Sequence, residues 1–67
     1  MSAHPLLEIH FEQWTEAGEI PDDTLVRHLY HAPRIGDGVV FSEGDTTIRG
    51  RVFDVLWTSE LVIVRVK

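Results

Sequence analysis

The fold of this chain is predicted best from one stretch, Pro33-Arg34-Ile35-Gly36-Asp37-Gly38-Val39-Val40-Phe41. Pro33 holds the residue before it in an extended conformation, so it ends whatever element precedes it. The Gly-Asp-Gly turn then leads into an apolar run, which is typical of a short strand entering a core. An aspartate in such a turn usually bonds to its own backbone, so we predict a structural role for Asp37.

The two halves of the chain on either side of this stretch differ in charge. Residues 1–31 contain six acidic residues and one arginine, and they account for the whole net charge of −5. Residues 32–67 contain five acids and five bases. A negative surface repels nucleic-acid phosphates and favours basic partners, so we predict a basic protein partner and no direct binding to nucleic acid.

Length and composition predict a single domain spanning residues 1–67. The chain has no cysteine, so neither disulfides nor cysteine-based metal sites are available to stabilise it. Its apolar runs are far shorter than the roughly 20 residues that a membrane-spanning helix needs. The first residues lack the pattern of a signal peptide, and the predicted location is cytoplasmic.

Residues 6–14 alternate between apolar and other side chains, which is typical of a strand with one buried face. We predict that Leu7, Ile9 and Phe11 point into the core. Residues 22–30 fit two structures. An aspartate at the start would cap a helix with a helical apolar pattern, whereas a strand would form a hairpin with the first strand. We predict the strand and keep one short helix near 22–30 as the alternative.

The second half is predicted to be mostly strand. A short strand at 39–41 follows the Gly-Asp-Gly turn, and a turn at 42–46 leads into a longer strand that ends at Trp57. Gly50 in that strand predicts a bulge or a bend, and Trp57 is predicted to fill the core. The strongest strand pattern is at 61–66, where three valines lie on one face.

These elements predict a mainly β fold, a five-stranded and strongly bent antiparallel sheet or barrel, because closure removes exposed sheet edges. The motifs resemble small SH3-like barrels, in particular short bacterial and phage proteins with a Pro-Arg-x-Gly-Asp-x-Val core. The resemblance covers roughly residues 31–67, and its motifs are Pro33-Arg34-Ile35-Gly36-Asp37-x-Val39, Gly50-x-Val52-x-x-Val55-x-Trp57 and Val62-x-Val64-x-Val66. It implies a fold and no chemistry, since such barrels host many unrelated functions.

A partner-binding site is predicted in the acidic half. Carboxylates there would face a basic surface in place of phosphates, and an exposed tryptophan would anchor the contact. The alternatives are a solvated hairpin tip for the carboxylates and a lid over one end of the barrel for the tryptophan. The predicted residues are Glu12, Trp14, Glu16, Glu19, Asp22 and Asp23.

Four histidines also lie in this half, at His4, His10, His28 and His31. A hairpin would bring His10 and His28 near each other, but a zinc site needs three or four ligands, for example with Glu8. Separate surface histidines are the more common arrangement, so we predict no metal and no cofactor. The sequence shows no catalytic constellation or phosphate-binding loop, and we predict that the chain is not an enzyme.

The sequence therefore predicts a non-enzymatic protein-binding module. Its predicted form is a small inhibitor encoded by a phage or mobile element, anti-CRISPR-like, acting on a basic surface that otherwise binds nucleic acid. One alternative is a structural subunit that forms a homodimer or larger oligomer through an exposed strand edge such as 61–66. Another is metal-dependent hydrolysis at the histidine face.

Overall fold

The computed structural model describes residues 6–15, 18 and 20–67. This part of the chain forms five strands: β1 (Leu7–Gln13), β2 (Asp23–Leu29), β3 (Gly38–Glu43), β4 (Thr46–Trp57) and β5 (Val62–Val66). The mainly β prediction is confirmed. The described residues include no helix that is long and apolar enough to cross a membrane.

The helical alternative near 22–30 is wrong, because this segment forms the second strand of a hairpin. In the register of β1 and β2, Leu25 lies opposite Phe11 and Leu29 lies opposite Leu7. Leu25 and Phe11 are both buried. Pairing with β1 therefore overrides the weak helical pattern, because it buries Leu25 and packs the partly buried Leu29 against the apolar core.

All five strands belong to one sheet with the order β2-β1-β5-β4-β3. The pairs β1–β2, β3–β4 and β4–β5 are antiparallel, as predicted, whereas β1 and β5 pair in parallel, which the sequence did not predict. The prediction of an exposed edge at 61–66 is wrong, since β5 lies in the middle of the sheet. A strand whose two faces are largely apolar is most stable where both of its edges are paired.

The sheet bends until its two outermost strands approach each other, so that it nearly closes into a barrel. Arg27 of β2 bridges the gap to β3, donating from Nη2 to the Ser42 carbonyl at 2.8 Å and from Nη1 to Glu43 at 3.0 Å. Its guanidinium also lies 6.0 Å from the centre of the Phe41 ring. One arginine thus links the free edges of β2 and β3.

The core fills the inside of this bent sheet. Phe11 and Phe41 pack with their ring centres 4.6 Å apart. No polar or charged residue is buried in the described part of the chain. The predicted core residues Ile9 and Phe11 are buried, whereas Leu7 is only partly buried. The buried hydrophobic residues are Ile9, Phe11, Leu25, Ile48, Val52, Val62, Val64 and Val66.

The long strand β4 changes its partner half-way along. It pairs with β3 as far as Arg51 and with β5 from Val52 onward. Gly50 lies at this change with a φ of 145°. The register shift falls between Val52 and Asp54, so the bulge predicted at Gly50 occurs three residues later.

The turn at 34–37, just before β3, joins the two halves of the sheet. The Arg34 amide donates to Asp37 Oδ2 at 2.8 Å, and the Asp37 amide donates to the Arg34 carbonyl at 3.0 Å. Backbone bonds from the Gly36 amide to the Val52 carbonyl and from the Val52 amide to the Asp37 carbonyl fix the turn against β4. The structural role predicted for Asp37 is confirmed.

Candidate functional site

The six residues predicted to bind a partner lie in different surroundings. Glu12 and Trp14 lie at the end of β1, on the outer face of the sheet. Asp22 and Asp23 lie at the start of β2 and are exposed. Glu16 and Glu19 lie outside the described residues.

Glu12 and Trp14 are held within a cluster on the outer face, together with Arg65 and Asp54. Glu12 Oε1 accepts a hydrogen bond from Trp14 Nε1 at 3.1 Å and one from Arg65 Nε at 3.1 Å. Arg65 Nη1 donates to Asp54 Oδ2 at 3.4 Å. The guanidinium also lies 5.2 Å from the centre of the Trp14 ring, a cation–π distance. These contacts occupy the Glu12 carboxylate and one face of the indole.

Replacing Arg65 with methionine is expected to destabilise the domain by about 1 kcal/mol, because it breaks a partly buried ion pair and a cation–π contact. In a Trp57→Phe background, Trp14 is the only tryptophan, so its fluorescence emission should shift to the red as its ring gains solvent. A urea titration measures both effects. Arg49→Met is the control, since that exposed arginine has no carboxylate partner among the described residues. Equal effects of the two changes would contradict the structural role of Arg65.

Asp22 and Asp23 are the part of the predicted acidic site that the structure both describes and leaves exposed. The Asp22 amide donates to the Gln13 carbonyl at 2.7 Å, which fixes the backbone at the start of β2. Neither carboxylate has an ion-pair partner among the described residues. They are available to a basic surface.

Two of the predicted histidines share one carboxylate. His10 Nε2 lies 2.6 Å from Glu8 Oε2, and His28 Nε2 lies 3.9 Å from Glu8 Oε1. The register explains this, because Glu8 lies directly opposite His28 and two residues before His10 on the same face. His31 is exposed, and His4 lies outside the described residues. Within residues 6–15, 18 and 20–67, no group of three or more side chains is placed to hold a metal ion.

Trp57 is the residue whose predicted position is wrong. It was expected in the core, but 64% of its surface is exposed. Alternation places its side chain on the inner side of the sheet, opposite Val62, yet it is the last residue of β4. The core ends before that position is reached, so the indole lies at the rim of the barrel.

Two grooves meet at Trp57. The larger has a volume of about 520 Å³ and runs between the segment before the Gly-Asp-Gly turn and the end of β4. Its lining is Ala32, Pro33, Arg34, Ile35, Val55 and Trp57. The smaller, of about 250 Å³, lies between the start of β1 and the turn after β4, and its lining includes Trp57, Glu8 and Glu60.

Ile35 supports the larger groove as a contact surface, because 67% of this side chain is exposed beside Trp57. We call Pro33, Arg34, Ile35, Val55 and Trp57 the Trp57 surface. The sequence carried one signal for it. Ile35 is flanked by Pro33, Arg34 and Gly36, so this segment lacks the alternating apolar pattern of a strand with one buried face, and no nearby apolar residue in the sequence would help to bury Ile35.

Comparisons with family models, with curated proteins and with solved structures found no match to this chain. The predicted likeness to SH3-like barrels stays a prediction.

Proposed function

We propose that this chain is a non-enzymatic protein-binding module and that the Trp57 surface makes the contact. The observation that carries the proposal is the exposure of Trp57 at the meeting point of two grooves. Exposed apolar side chains that cluster around a concave surface are typical of interaction sites. Tryptophan is also the residue type most enriched among the few that dominate binding energy.

The position of the surface favours a protein partner. Ile35 and Trp57 are rigid and apolar, and the groove between them is open at the rim of the barrel. The charged group in its lining is Arg34, which can select among partners by charge. Binding through such an anchor requires no catalytic group in the module, because burial of the indole supplies the affinity.

The proposal is tested by affinity capture with three immobilised forms of the chain. We expect the wild type to retain a partner from a lysate of the source cells, and Trp57→Ala to lose it, because loss of a tryptophan anchor lowers affinity by roughly 30-fold or more. Val40→Ser is the matched control, since Val40 is equally exposed but lies on β3, away from both grooves. Circular dichroism checks that all three forms are folded. A partner that binds Trp57→Ala as well as wild type would contradict the proposal.

A second candidate function uses the acidic end of the molecule. Asp22 and Asp23 are exposed and have no ion-pair partner in the described residues, so they suit a basic surface. In its specific form, the module is a phage or mobile-element inhibitor, anti-CRISPR-like, that displaces nucleic acid from such a surface by electrostatic competition. Glu12 is a poor probe of this idea, because changing it also breaks the cluster with Arg65.

The same capture experiment separates the two candidates. A form with Asp22→Lys and Asp23→Lys should keep its partner if the Trp57 surface makes the contact, and lose it if the acidic end does. Raising the salt concentration should weaken the acidic contact much more than the Trp57 contact, which has one charged group, because exposed charges are screened over about 8 Å at physiological ionic strength. Retention of the same proteins by every form would overturn both candidates.

A further inference from the structure

We propose that the larger groove takes an extended peptide from the partner protein, which adds as a strand to the free edge of β4. This inference deepens the proposed function and rests on it. The peptide runs beside residues 53–57, places apolar side chains against Trp57 and Ile35, and directs an acidic side chain to Arg34.

The backbone of β4 is unpaired on one side over its last five residues. β3 pairs with β4 only as far as Arg51, and the turn at 36–37 bonds to Val52. From there to Trp57, β4 pairs with β5 alone. In the described part of the chain, no backbone hydrogen bond reaches residues 53–57 from the other side. A row of free amide and carbonyl groups is the template that strand addition uses.

The groove lies along this same edge. Val55 and Trp57 contribute the wall formed by β4, and Pro33 and Ile35 contribute the facing wall. Successive side chains of an extended peptide point to opposite faces, so residues two apart would enter the groove together. The motif expected from this geometry has two apolar residues separated by one other residue, with no proline where an amide must donate.

The charge of the groove selects an acidic residue in the peptide. Arg34 is the charged side chain in the lining, and it has no carboxylate partner among the described residues. The neighbouring carboxylate of Asp37 is already bonded to the Arg34 amide. An aspartate or glutamate of the peptide beside the apolar pair would therefore complement the guanidinium.

The shape of the groove excludes a second copy of this chain as the occupant. Two copies that joined their β4 edges would have to bring two concave grooves together. Pro33 and Ile35 line the groove together with Val55 and Trp57 of β4, so in such a dimer the segment that carries them would meet the same segment of the other copy. A single extended peptide carries no such flanking segment, so it can pair with the free edge of β4 without this clash.

The experiment uses a bead-displayed library of random decapeptides as the probe. Peptides that bind the wild type and fail to bind Trp57→Ala are sequenced, and the consensus peptide is synthesised with each backbone amide methylated in turn. We expect methylation at alternate positions to weaken binding roughly tenfold or more, because those amides donate to β4, with little effect at the positions between. Arg34→Glu should weaken the acidic consensus about fivefold and favour peptides with a basic residue instead.

Amide hydrogen exchange of the labelled domain locates the contact. The expected result is new protection at residues 53–57 when the peptide binds. Strand addition would be overturned if the effect of peptide methylation did not alternate along the peptide, or if the newly protected amides lay on β2 or β3. Either result would leave a Trp57-dependent contact intact. A library with no Trp57-dependent peptide would also overturn it, and the capture experiment would then judge the proposed function separately. Protection of residues 53–57 in the concentrated domain alone, with a doubled mass in sedimentation, would show a second copy as the occupant and overturn the proposal.

Discussion

Replacing Phe11 with alanine is expected to destabilise the domain by about 4 kcal/mol and to leave about one molecule in six unfolded at 25 °C. Phe11 is fully buried, and its ring packs against Phe41 on the opposite side of the barrel. A domain of 67 residues has a total stability of about 5 kcal/mol, so the loss removes nearly all of it. Urea denaturation followed by circular dichroism measures the change.

Phe53→Ala is the matched control for this prediction. Phe53 is also a phenylalanine on a strand, but it lies at the bulge of β4 with 38% of its surface exposed. Its loss removes a contact with Lys67, whose ammonium lies 5.0 Å from the ring centre, and should cost no more than about 1 kcal/mol. Similar shifts of the urea midpoint in the two variants would show that the core is not built around Phe11.

Replacing Gly50 with alanine is expected to cost about 3 kcal/mol or more. An added Cβ would lie 2.5 Å from the Lys67 carbonyl oxygen and 2.9 Å from its carbonyl carbon. These atoms belong to the backbone that pairs with Arg51, so they cannot move without breaking the pairing. The φ of 145° adds strain for any residue with a side chain. Thermal and urea unfolding give the size of the loss.

Gly38→Ala separates this effect from the general cost of changing a glycine. Gly38 lies in β3 with an ordinary φ, and the nearest atom to an added Cβ is the end of the Arg51 side chain at 3.9 Å. We expect a change within about 0.5 kcal/mol, or a slight gain from the reduced freedom of the unfolded chain. An alanine at Gly50 that is tolerated equally well would mean that β4 does not change partners as described.

Alternation was enough to predict the first strand and its inner face. It placed Ile9 and Phe11 in the core and put the three valines of β5 together on one face, because side chains on a strand alternate between faces whatever the neighbouring strand is. It did not show which strands would be neighbours. The parallel pairing of β1 with β5 joins residues more than 50 positions apart, and no local pattern contains that information.

The predicted binding residues show the same limit. Their acidity was visible in the sequence, but whether a carboxylate is free depends on what the fold places beside it. Arg65 comes from β5 and occupies Glu12, whereas no described cation reaches Asp22. A list of acidic residues therefore predicts the charge of a region and not the availability of each group.

Short-range patterns in the sequence predicted the small mainly β fold, its turns, the inner face of β1 and the structural role of Asp37. Those features depend on conformational preferences and apolar patterns that involve only a few neighbouring residues. Long-range pairing and packing place β5 at the centre of the sheet, hold Glu12 and Trp14 in contacts within the molecule, and leave Trp57 exposed beside Ile35. The physical reason is that burial depends on where the barrel ends. That limit is set by the lengths and the registers of several strands together, and it leaves the last residue of β4 beyond the core.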